Sequence, residues 1–211
     1  MVPQVDRLAS VLADAARGTF PAADGGFEAL PAPHGPAMAV LGFSGHHLIA
    51  SSAPGSWVRD QLAGRDPGAP MSPPFLARLG ELLGREDDGL DVLLAAPGLS
   101  GAPALVQTDG DDHPRVTRAT RHREDVRVFE DAAGDAVVVL GRGLARRVEV
   151  AVEVTAGRRG AGLGRRMLTE ARRLLSPGEF VFAQTAPGNA AALRALLGAG
   201  FHPVGAEVLF F

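Results

Sequence analysis

The residues of this 211-residue chain best placed to do chemistry lie at Arg158-Arg159-Gly160-Ala161-Gly162-Leu163-Gly164. A glycine turn that opens a helix converges backbone N–H groups, and such a turn is a cradle for phosphate. Arg165 and Arg166 follow at once, so four arginines crowd the start of a helical pattern. The helix dipole is positive there and disfavours cations unless an anion offsets them. The glycines predict close approach of a ligand, and the arginines predict that it is negative. A plainer alternative is that solvated arginines merely favour the helix and the glycines merely turn the chain. That alternative leaves the cations at the positive helix end unexplained.

Around this loop the elements can be placed by periodicity. Arg147–Thr155 alternates as a strand, with Val148, Val150, Val152 and Val154 on one face and Glu149, Ala151 and Glu153 on the other. An amphipathic helix spans Leu163–Leu175, a strand Phe180–Gln184, a helix Ala190–Leu197, and a last strand Val204–Phe211. Before them come a strand at Ala104–Thr108, a basic helix at His113–Arg123 and a hairpin of Val126–Glu130 with Ala136–Leu140. Five arginines fall between Arg115 and Arg127, read either as a solvated helix face or as the lining of an acceptor entrance.

The first half reads as a helix over 3–17, a strand at Phe27–Leu30, and strands Ala37–Phe43 and His46–Ser51 about a Ser44-Gly45 turn. Helices follow at Trp57–Ala63 and Pro73–Leu83, the second capped by Ser72, then a short apolar strand at Asp91–Ala96. The pattern predicts an α/β (α+β) class: a mixed, mostly antiparallel sheet flanked by helices. The Pro/Gly-rich stretch at Pro97–Pro103 divides an accessory α/β region, 1–97, from a region at 102–211 that carries the loop. The accessory region is read either as a degenerate second copy of the same fold or as a lid over the site.

Composition excludes much. The chain is 46% hydrophobic and 21% charged, with a formal net charge of −3, which gives no support for bulk binding to nucleic acid or an anionic membrane. It has no Cys, Lys or Tyr, so thiolate chemistry, a Walker lysine and a Schiff base are absent. No apolar run approaches the length of a bilayer span, and no export signal is visible, so a cytoplasmic protein is the expectation. Gly42-Phe43-Ser44-Gly45-His46 lacks the final glycine of a nucleophile elbow. His46 and His47 point to opposite faces of a hairpin edge and cannot share a metal, and no metal site is expected. The loop also fails as a dinucleotide fingerprint: the spacing is Gly160-x-Gly162-x-Gly164, and Gln184-Thr185 stand where an acid is required.

The arrangement resembles the GNAT superfamily of acetyl-CoA-dependent N-acetyltransferases. Arg159, Gly162 and Gly164 match its loop, and Asn189, Ala192, Gly200 and Phe201 match the downstream strand and helix. The resemblance covers about the last 65 residues closely and extends loosely back to about Ala102. It implies acetyl-CoA, or another acyl-CoA, as cofactor. Backbone groups of Val152 and Val154 would pair with the pantetheine amides. The N–H groups of Gly160, Ala161, Gly162, Leu163 and Gly164 would hold the pyrophosphate, Arg159 and Arg165 would supply charge, and Asn189 would reach the cofactor arm.

The implied reaction is direct transfer of the acyl group to a primary amine, with Glu149 or Glu153 assisting deprotonation. The structural alternative is that both glutamates simply pair with arginines such as Arg146, Arg147 or Arg127. The family's usual tyrosine acid falls at Leu196. A non-catalytic acyl-CoA sensor or interaction module therefore stands as the other reading. The expected partner is a small-molecule amine rather than a protein, nucleic acid or membrane, and the expected state is monomer or homodimer.

Overall fold

A computed structural model describes residues 7–110 and 113–211. The first helix, α1, spans Arg7–Ala16, and the part expected over 3–6 lies outside the described residues. In chain order there follow β1 (Gly26–Leu30), β2 (Met38–Phe43), β3 (His46–Ala50), α2 (Gly55–Leu62), α3 (Pro73–Leu83) and β4 (Asp87–Pro97). The second half contributes β5 (Val106–Thr108), α4 (Pro114–His122), β6 (Glu124–Glu130), β7 (Ala136–Arg142) and β8 (Val148–Val154). It closes with α5 (Leu163–Arg172), β9 (Phe180–Thr185), α6 (Ala190–Gly198) and β10 (His202–Phe210).

The described strands form one sheet in the order β1-β3-β2-β10-β4-β9-β8-β7-β6-β5. Only β1–β3 and β8–β9 pair in parallel. The class is the mixed, mostly antiparallel α/β architecture expected. One feature of the order is not written in any local pattern: β4 lies between β9 and β10, hydrogen-bonded to both. The stretches on either side of Pro97–Pro103 therefore share a single sheet.

Both faces are covered. On one, α5 and α6 pack Met167, Leu168, Ala171 and Leu196 over Val138, Val150, Val181 and Ala183. Further along that face α2 and α3 set Val58, Leu62, Phe75 and Leu79 against Val40, Ile49 and Val208. On the other face α1 buries Leu8, Val11 and Leu12 against Leu41, Leu93 and Phe182. Beside it α4 places Val116 and Ala119 on Val128, Val137 and Val139.

Several local expectations are corrected. The apolar strand expected at Asp91–Ala96 runs Asp87–Pro97, because both neighbours extend its ladder. Ser72 occupies the N-cap of α3, but its hydroxyl donates to the Ala69 carbonyl at 2.7 Å instead of capping. His46 and His47 sit on β3, an interior strand between β1 and β2, not on an edge. Both are buried, and the His46 Nδ1 lies 2.8 Å from Asp24.

Candidate active site

The parallel pair β8–β9 is joined at only two positions, Val148 with Val181 and Glu149 with Phe182. Beyond Glu149 the two strands part. A cleft of about 1260 Å³ runs through the gap, lined by β8 from Glu149 to Val154, by Ala183 to Thr185 of β9, and by the glycine loop. The Val154 carbonyl accepts from Arg159 Nε at 3.0 Å, so it points away from β7 toward the open side. Strand alternation aims the Val152 carbonyl the same way. Unpaired backbone at a parting of strands is where an extended ligand can add as a strand.

The loop meets α5 at its N-terminus, where Gly162 is the N-cap. Gly160 and Gly162 have φ of +82° and +80°, the left-handed region that a side chain resists. A Cβ at either would meet nothing within 4 Å, so conformation and open approach, not packing, require glycine there. The four arginines divide. Arg158 Nε bonds Asp135 at 2.7 Å, and Arg159 lies 4.0 Å from Glu153. Arg165 lines the cleft, and neither it nor Arg166 makes an ion pair among the described residues. Asn189 also lines the cleft, but its Oδ1 accepts from Ala192 N at 3.1 Å. It caps α6, a role that its position before a helical run could have signalled.

The expected glutamates are both held by arginines. Glu149 is buried, with Oε1 2.8 Å from Arg147 Nε and Oε2 2.9 Å from Arg123 Nε. Arg147 in turn donates from Nη1 and Nη2 to Glu207 of β10 at 2.8 and 2.7 Å. Burial works to raise the Glu149 pKa, but the charges of Arg147 and Arg123, with hydrogen bonds from Arg147 and Gln184, outweigh it. The carboxyl is thus held below its ordinary range. Glu153 is less buried, and a hydrogen bond from Arg115 at 3.0 Å is the main cause of its lowered pKa. Arg147 was among the partners expected; Arg123 and Arg115 replace Arg146 and Arg127.

The basic run is both a solvated face and a wall of the cleft: Arg118 and Arg121 are exposed, while Arg123 is largely covered. Arg115, Arg118 and Arg123 reach Glu153, Asp88 and Glu149 across the cleft. Sequence reasoning missed Asp91, read only as the start of an apolar strand. It lines the cleft from β4 and is half-buried. Burial, then the charges of Glu207 and Asp88, push its carboxyl up to about 6, against the opposing charge of Arg118. No cluster of metal-binding side chains occurs among the described residues, and none of their helices is long and apolar enough to cross a membrane.

No protein-family model matches the chain, and no curated protein does. Among solved structures it resembles a GCN5-related N-acetyltransferase from Kribbella flavida, at 18% identity and a TM-score of 0.43, covering 65% of this chain and 63% of that one. A GNAT-family acetyltransferase from Colwellia psychrerythraea aligns at 15% identity and a TM-score of 0.39, covering 64% and 61%. A putative acetyltransferase of the GNAT family from Novosphingobium aromaticivorans aligns at 21% and 0.39, covering 60% and 66%. This chain is similar to GNAT-family acetyltransferases. It spans less than two thirds of each of these proteins, and the chemistry of the cleft has to follow from its own residues.

Proposed function

We propose that the protein transfers an acetyl or other acyl group from an acyl-CoA to a primary amine. The observation that carries this reading is the parting of β8 and β9 beside a glycine loop that opens a helix. The open β8 edge, with the backbone of Val152 and Val154, suits the amides of a pantetheine arm. The N–H groups of Gly160, Ala161, Gly162, Leu163 and Gly164 suit a pyrophosphate, with Arg159 and Arg165 as its counter-charges. Asn189 flanks the arm while capping α6. A bound thioester would supply the electrophilic carbonyl, and a backbone N–H of β8 near Val154 would polarise it.

In this reading the amine attacks the thioester directly. Glu149, ionised and bonded on both oxygens, orders Arg123 and Arg147 around the apex of the cleft. Glu153 is the better placed of the two to exchange protons with solvent, through its partial exposure. Calorimetric titration with acetyl-CoA tests the reading. Ala161→Glu, an exposed position in the loop, should abolish binding without disturbing the core. Binding that survives both Ala161→Glu and Arg165→Glu would refute it.

One observation favours a second reading, an acyl-CoA-binding module without transfer. The cleft wall carries the buried Leu196 where the family places its acid, and both expected glutamates are tied to arginines. That module would bind acetyl-CoA yet release no free CoA with any amine.

A further inference from the structure

Four carboxylates line the cleft: Asp88, Asp91, Glu149 and Glu153. Asp88 is paired with Arg118, Glu153 with Arg115, and Glu149 with Arg123 and Arg147. Among the described residues Asp91 alone of the four has neither an ion pair nor a hydrogen bond to its side chain. Its position follows from register. On β4 it stands opposite Glu207 of β10, and Leu93, two residues on, stands opposite Gln184 of β9. Alternation therefore puts Asp91, Gln184 and Glu207 on one face of the sheet. Glu149, opposite Phe182 where β8 and β9 part, is on that same face.

The groups around Asp91 come from three directions. Glu207 adjoins it in the sheet with Arg147 already bound, and Asp88 precedes it on β4. Above, α4 and the residue that follows it present Arg118, His122 and Arg123 to the cleft, with Arg118 given to Asp88 and Arg123 to Glu149. An ionised carboxylate flanked by two others, with Arg118 bound to Asp88, Arg123 to Glu149 and Arg147 to Glu207, has no ion pair of its own. An incoming ammonium is the ligand that would supply one.

We propose that Asp91 receives the ammonium group of the acceptor and takes its proton, so that the acceptor is an alkyl primary amine that enters the cleft as a cation. This rests on the acyl-transfer reading above. The carboxylate accepts one proton from the ammonium and leaves a neutral amine. The nitrogen lone pair attacks the thioester carbon, the C–N bond forms, and the C–S bond breaks with its electron pair on sulfur. The second proton lost from nitrogen neutralises the thiolate, and Asp91 returns its own to solvent through the open cleft. The stretch before Pro97 thus supplies the proton acceptor, while the stretch after it holds the acyl donor.

The test uses acetyl-CoA with a panel of n-alkylamines, diamines and amino acids, reading free CoA with a thiol reagent. Asp91→Asn should lower kcat/KM about a hundredfold or more for the best amine, the range of a lost general base, with calorimetric affinity for acetyl-CoA unchanged. In the wild type kcat/KM should level off above pH about 6, where Asp91 is ionised. In Asp91→Asn it should keep rising with unit slope, because only the free-amine fraction reacts. The break should persist in His122→Gln, which removes the other titrating neighbour, and Asp91→Glu should recover part of the rate. Wild-type rate and pH profile in Asp91→Asn overturn the proposal, as does a wild type that binds acetyl-CoA and acetylates no amine. Failure of the wild type to bind acetyl-CoA overturns the acyl-transfer reading itself.

Discussion

Replacing Arg147 by Met removes the centre of a buried, charge-balanced row, Glu207–Arg147–Glu149–Arg123. Three N–H donors are lost: Nε to Glu149, and Nη1 and Nη2 to Glu207. Glu149 keeps Arg123, but Glu207, 1% exposed, loses the only side-chain partner found for it among the described residues. Removing one member of a buried ion pair costs about 3–5 kcal/mol, because an uncompensated charge stays behind. That is a large share of the about 5–15 kcal/mol by which folded domains are stable. The double variant Arg147→Met/Glu207→Met should recover most of the loss, since it leaves only the neutral Glu149–Arg123 pair in an apolar setting.

The pH dependence has a definite sign. The Glu149 carboxyl is depressed on folding, so its contribution is present above its unfolded pKa and is lost as pH falls through the folded value. Taking away Arg147 removes part of that contribution and strands a second carboxylate. The deficit of Arg147→Met should therefore be greatest near neutrality and narrow as pH falls and Glu149 gives up its contribution in the wild type. Urea unfolding at several pH values reads both effects. An Arg147→Met protein within about 1 kcal/mol of wild type at pH 7.5 would show that the row contributes nothing to the fold, and a double variant no more stable than the single would show that the stranded Glu207 is not the cause of the loss.

Three further outcomes are expected. A Cβ at Gly143 would overlap the Glu149 carboxylate, so Gly143→Ala should cost about 1–3 kcal/mol by crowding, read as a lowered urea midpoint. Asn189→Ala removes the α6 cap and should cost about 1 kcal/mol in the same assay, with acetyl-CoA affinity separating the cap from any cofactor role. Asp91→Asn should stabilise the protein at pH 7.5. The native carboxyl is raised to about 6, so ionising it weakens the fold as pH climbs from the unfolded value through that point. Partial solvent screening limits the gain to about 1–2 kcal/mol, and a thermal melt that shows none below pH 4 and the full gain above pH 7 checks the sign.

Much of the fold was legible because it is local. Alternation of the valines marked β8, and glycine with arginine at a helix start marked the loop before α5. The boundaries shifted where a neighbour, not the segment itself, set the length. Asp87 to Leu90 carry no strand pattern of their own and are drawn into β4 by β10. The glutamates were found by alternation, but their partners were not. Arg123 follows a helix 26 residues before Glu149, and Glu207 is 60 residues beyond Arg147. Asp91 was overlooked for the same reason: nothing in its own stretch distinguishes it from the polar start of an ordinary strand.

The sequence by itself was enough to predict an anion cradle at 158–164, since glycine conformation, helix polarity and arginine charge act over a few residues. It also determined the absence of thiol, lysine and tyrosine chemistry. Only the tertiary structure decided which carboxylates are engaged. Charge pairing depends on which strands lie side by side, and here β4 inserts between β9 and β10. That insertion brings Asp91 to the cleft beside Glu207, while Arg147 and Arg123 occupy Glu149. The glycine loop carries the expectation of an anion, and the order of the strands brings to the cleft Asp91, the one lining carboxylate without a side-chain partner among the described residues.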